Sequence, residues 1–181
     1  AEYLIISREM FRDSLTPLLD RKLWIGMEAL MVSVEDIVGG GDPPFPYPGR
    51  DVPEKIRNCI IDFYQNHGTR WVLLAGDVDP VDQELNTDWE VPIRYVYNPD
   101  YPPYGIYTPT DYYYAGLDGD WDSDSDSEFG ESWYYSIDDE VDWFPDVFVG
   151  RITATTVQEM QSQVNKILNF EGFNVNNMLL L

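Results

Sequence analysis

Short, almost continuously apolar runs mark the first half of the chain: residues 3–7 (YLIIS), 27–34 and 71–75 (WVLLA). Such runs read as strands buried on both faces of a sheet. Between them the apolar positions take up helical spacing. Met10, Phe11, Leu15, Leu18, Leu19 and Leu23 form one such set. Pro17 would break the interior of a long helix, so the pattern predicts a turn over 8–13 and a helix beginning close to Ser14. Gly39 to Gly41 and the prolines at 43, 44, 46 and 48 predict a loop. Asp51, Pro53 and Glu54 then have the chemistry of a helix start, with Asp51 as cap and Glu54 completing a box-like pair. Ile56, Ile60, Phe63 and His67 share one stripe, with Cys59 beside it, and Gly68 ends the helix.

The second half is less regular. Residues 79–109 form a long connection rich in Pro, Asn and Tyr, and connections of that length carry function or pack as a separate layer. The apolar stretch 112–117 leads into an acidic run, and 147–149 is the next apolar run. Thr156 and Glu159 form a capping box ahead of a helical stripe, Val157, Met160, Val164 and Ile167, which Gly172 closes. Residues 178–181 read as a further buried strand. Strands alternating with helices predict an α/β fold, a mostly parallel sheet with helices on both faces, within one subdomain over 1–181. Its loop region spans about 79–146.

The acidic run, 118–131, holds the candidate chemistry. Asp120, Asp122, Asp124, Asp126, Glu128 and Glu131 fall at positions 1, 3, 5, 7, 9 and 12 of a twelve-position calcium loop. Alternating hard oxygen donors suit Ca²⁺, which takes about six to eight oxygens. Ser125 stands at position 6, where such loops use Gly for a sharp turn, and no amphipathic helix flanks the run, so it is not an EF-hand pair. The plain alternative is a solvated acidic loop.

Charge narrows the partners. At −22, the chain should be repelled by nucleic acid and by anionic membranes. No apolar run approaches the ~20 residues that span a bilayer. A hydrophobic content of 44% supports a core despite that charge. A weak calcium site fills outside the cell, which points to an extracellular or cell-surface setting.

Reactive side chains are scarce. The chain has one cysteine, Cys59, and one histidine, His67. On one helix they lie roughly two turns, or about 12 Å, apart, whereas a nucleophile and its base need about 3 Å. Cys59 therefore reads as a core residue and His67 as a helix C-terminal residue. Without another histidine to activate Ser7 or Ser14, a Ser-His-Asp hydrolase is excluded. Gly39 to Gly41 runs into prolines, not into a phosphate-binding helix start. Asp77, at a strand's carboxyl end, suits a ligand or a turn cap equally, and Asp111 suits support of the acidic loop or a turn.

Taken in order, LLAGD (73–77), VPIR (91–94), TDYYYAGLDGDWD (110–122), FGE (129–131), PDVFVGRI (145–152) and VNKILNFE (164–171) form a specific series. The series resembles the gingipain-like cysteine peptidases, family C25 of the caspase-like clan. YLIIS and EKIRNCI (54–60) fit the same pattern, so the likeness covers essentially the whole chain. Members of that family carry a WDxDGD-type sequence where this chain has WDSDSD at 121–126. The resemblance implies a caspase/gingipain-like N-terminal subdomain and a His–Cys dyad in a catalytic subdomain beyond residue 181. No catalytic residue is carried over. The expected partners are that C-terminal subdomain and, through the full enzyme, protein or peptide substrates. A sortase-like transpeptidase of the same family in protein export, and a non-catalytic calcium-binding adhesion or scaffold module, are the alternatives.

Overall fold

A computed structural model describes residues 1–42, 44–78, 91–98, 106–131 and 139–172. Its centre is a four-stranded parallel sheet of β1 (Tyr3–Ser7), β2 (Ala29–Ser33), β3 (Trp71–Ala75) and β6 (Phe148–Ile152), in the order β2-β1-β3-β6. Side chains alternate across a strand even where the sequence is apolar throughout, so each run feeds two cores. Leu4, Ile6, Val32, Val72 and Leu74 face α2 (Val34–Gly39) and α3 (Val52–His67). Ile5, Met31, Leu73, Ala75 and Ile152 face α1 (Arg12–Trp24) and α4 (Val157–Gly172). Helices thus cover both faces, as the alternation of elements predicts.

The caps explain the helix ends. Asp51 Oδ1 accepts from the Glu54 amide at 2.9 Å, and Gly68 takes the left-handed conformation (φ 70) that stops α3. Glu54 does not return to Asp51. Its carboxylate takes the amide of Arg50 at 2.6 Å. The box at α4 is reciprocal: the Glu159 amide donates to Thr156 Oγ1 at 3.2 Å and the Thr156 amide to Glu159 Oε2 at 3.1 Å.

Several boundaries differ from the sequence reading. Helix α1 starts at Arg12, after a 3-10 turn at Glu9–Phe11, and runs through Pro17. Pro17 is exposed, and the bond it forfeits is to the carbonyl of exposed Asp13, which water can satisfy. Burial of Leu15 and Leu18 outweighs that loss at about 1.5–3 kcal/mol each. Strand β2 ends at Ser33 because Ser33 Oγ caps α2, accepting from the Asp36 amide at 3.0 Å. The connection read as a loop over 79–109 contains an antiparallel ribbon of β4 (Arg94–Asn98) and β5 (Ile106–Thr110). The strand expected at 178–181 lies outside the described residues.

Candidate metal centre

The irregular layer that carries the acidic run is fastened to the sheet end by arginines. Arg57, on α3, donates to the carbonyls of Tyr113 (3.1 Å), Gly116 (2.9 Å) and Asp118 (3.2 Å). Arg94, on β4, forms a two-pronged pair with Asp51 at 2.8 Å for each bond. Its guanidinium lies 3.7 Å from the Phe129 ring centre and 4.6 Å from that of Tyr113. Burial works against both charges of the pair, yet the hydrogen bonds win, and Asp51 is held below the usual carboxylate range. Arg151, on β6, grips Asp111 at 2.6 and 2.7 Å and the carbonyls of Gly76 (3.0 Å) and Val91 (2.7 Å). Asp111 therefore anchors the layer, and its carbonyl also closes a turn with the Tyr114 amide. Asp77 Oδ1 accepts from the next amide, Val78, at 2.8 Å, which is a turn contact.

The acidic loop hangs from Trp121, buried against Tyr113 and close to Tyr112 and Trp143. At its entry Gly119 (φ 75) presses on the Glu140 carbonyl, where a Cβ would come within 2.4 Å, so no other residue fits. Three of the acids then fold back on the backbone two residues on. Asp120 Oδ1 accepts from Asp122 (3.1 Å), Asp124 Oδ1 from Asp126 (3.3 Å) and Asp126 Oδ1 from Glu128 (2.7 Å). Asp122 is buried; its Oδ1 accepts from the Ser127 amide at 3.1 Å and its Oδ2 pairs with Arg50 Nη1. Ser125 sits at φ 65, the left-handed conformation that a Gly at this position would supply.

The sequence reading missed the residue that closes the loop. Asp139, buried, accepts three amides, Ser123 on Oδ1 (2.7 Å) and Gly130 and Glu131 on Oδ2 (2.7 and 3.1 Å). Nothing in its spacing distinguishes it from the neighbouring acids at 138 and 140.

Carboxylate oxygens of Asp122, Asp124 and Asp126 lie within 4.8 Å of one another, as do those of Asp126, Glu128 and Glu131. Asp126 is common to both groups, and Asp120 belongs to neither. All-oxygen donors at this separation have the chemistry of a hard divalent cation. Asp118, at the entry, is raised above the ordinary carboxylate range by the charges of Asp146 and Asp142.

Cys59 and His67 form no dyad. Cys59 is fully buried in the α3 face of the core, and burial pushes its thiol well up, so it is not a thiolate at neutral pH. His67 is exposed at the end of α3, leaning on Phe63 and 3.9 Å from Asp62.

The family model for peptidase family C25 matches residues 1–181. The chain belongs to peptidase family C25. No curated protein sequence matches it. Among solved structures, the complex of the pro- and mature domains of RgpB from Porphyromonas gingivalis is similar over 94% of this chain and 29% of that one, at 16% identity and a TM-score of 0.59. Dimeric latent PorU from the same organism is similar over 94% and 15%, at 17% identity and 0.55. A third, described as a protease, is similar over 93% and 28%, at 17% and 0.55. These likenesses establish the fold, and the C25 chain spans under a third of each neighbour. Several of the strings in which the resemblance lies take part in the arginine grips. VPIR supplies Arg94, GRI supplies Arg151, and TDYYYAGLDGD supplies Asp111 and the carbonyls that Arg57 holds. Among the described residues no helix is long and apolar enough to cross a membrane.

Proposed function

We propose that this C25 chain is the N-terminal, supporting part of the catalytic unit of a gingipain-like cysteine endopeptidase, acting outside the cell or at its surface and stabilised by Ca²⁺. One observation carries the reading. The C25 match spans 1–181, yet the chain's one thiol is buried and its one imidazole is at the far end of the same helix. The chemistry then belongs to residues elsewhere in the enzyme, where a thiolate attacks the peptide carbonyl and an imidazole moves the proton. This part contributes the sheet and the helices on which that machinery is mounted. Bound calcium would supply positive charge to the loop. Asp122, Asp124, Asp126, Glu128 and Glu131 would hold it, Asp120 shaping the turn beside them, and Asp139 would keep the loop in the liganding conformation.

Two measurements test this. Alkylation of the active peptidase containing this chain should label a thiol outside 1–181 and leave Cys59 unmodified, with turnover lost in step with the label. Loss of turnover in a folded Cys59→Ala protein, or peptide hydrolysis by this chain alone, would overturn the reading. Calcium at roughly 100 times Kd should add about 2.7 kcal/mol, a rise in Tm of about 5–10 °C over the EDTA-treated chain at this size. Superimposable melting curves would remove the metal from the proposal.

A further inference from the structure

We infer that Arg50 sets the calcium affinity of the acidic loop by acting as a resident counter-cation on Asp122; the inference rests on the calcium reading above. The Asp122 side chain is 0% exposed, and its Oδ2 is taken by Arg50 Nη1. An unpaired carboxylate at such a site is strongly destabilising, so the guanidinium keeps the loop folded when no metal is present. Arg50 is half-exposed but tethered. Its amide and Nε both donate to Glu54 Oε2, at 2.6 and 3.0 Å, in the first turn of α3, and its guanidinium lies 5.2 Å from the Phe129 ring centre.

A divalent ion among Asp122, Asp124 and Asp126 must share Asp122 with this fixed positive charge. The two cations repel across one carboxylate; Asp122 itself is buried, while Arg50 is half-exposed and Asp124 and Asp126 face solvent, so the repulsion weakens as salt rises. Arg50 thus weakens ion binding and replaces part of what the ion would do. The loop stays ordered without metal and releases it readily.

The test is isothermal titration of the chelator-stripped chain with calcium chloride, alongside thermal melts. Arg50→Gln should bind Ca²⁺ about tenfold or more tightly than the native chain, melt lower without metal and gain more Tm on saturation. Arg50→Lys, which keeps the charge, should bind with near-native affinity. If Arg50→Gln is unfolded without metal but folds on adding calcium, the inference stands, since the ion then substitutes for the guanidinium. Unchanged or weaker binding by an Arg50→Gln chain that is folded without metal, or failure to fold at saturating calcium, overturns it while leaving the calcium reading intact if the native chain binds. A native chain that takes up no calcium brings down both, and the native titration alone reveals which has failed.

Discussion

Asp139→Asn should unfasten the acidic loop. The carboxylate accepts three amides through two oxygens, Ser123 on one side and Gly130 and Glu131 on the other. Asparagine keeps the shape but offers one oxygen. If that oxygen faces Gly130 and Glu131, the side-chain NH2 confronts the Ser123 amide, and the reverse orientation strands two amides. Leaving one buried donor unsatisfied costs about 1–3 kcal/mol. The two surviving bonds also lose their charge assistance, which is worth roughly half their strength. Together the substitution should destabilise the loop by about 2–4 kcal/mol. Urea denaturation of the native and variant chains, with limited proteolysis at low urea, measures it. Early cleavage should appear between 119 and 131 in the variant and be suppressed by calcium. A variant within about 0.5 kcal/mol of the native chain, the range of neutral surface changes, with an unchanged cleavage pattern, would refute the role assigned to Asp139.

Two other perturbations follow from the same geometry. Ser125→Gly should stabilise the chain by about 0.5–1 kcal/mol, because relief of about 1–2 kcal/mol of left-handed strain outweighs the extra backbone entropy of glycine; differential scanning calorimetry should show a higher Tm, and a fall would mean φ 65 is not strained there. The Asp51–Arg94 pair should contribute stability at neutral pH that fades as pH drops below the unfolded carboxylate value of about 3.9 and through the lower folded value. The Tm gap between native and Asp51→Asn chains should therefore be widest above that window and close at lower pH, and a gap that stays constant down to the acid transition would count against the pair.

The sheet was legible in the chain because buried parallel strands advertise themselves. YLIIS and WVLLA have little choice of environment, and Thr156–Glu159 is a local signal that the structure uses as expected. The ribbon of β4 and β5 was not legible. Its tyrosines and Pro109 suit a loop as well as a strand, and it lies against the distant loop, Val96 beside Gly130 and the Tyr97 amide donating to the Phe129 carbonyl at 2.8 Å. Helix α2 was hidden for a related reason: six residues ending in a glycine run have no periodicity to detect, and only the Ser33 cap marks the start. In the candidate site, the acids picked out by spacing include two triplets whose oxygens approach one another, Asp122, Asp124 and Asp126, and Asp126, Glu128 and Glu131, while Asp120 is in neither. It could not find Arg50 or Asp139, because their roles come from contacts across the fold, Arg50 reaching Asp122 over a separation of 72 positions.

The three grips by Arg57, Arg94 and Arg151 limit how this chain can change. Each relies on a flat fork that reaches two or more acceptors at once, which a lysine's single ammonium cannot span. A change at one of these arginines strands its carboxylate or carbonyl partners far away in the chain, so it survives only alongside a matching change there. Peptidases of this type should therefore vary freely in loop length and surface charge while these arginines and their acceptors are inherited as sets.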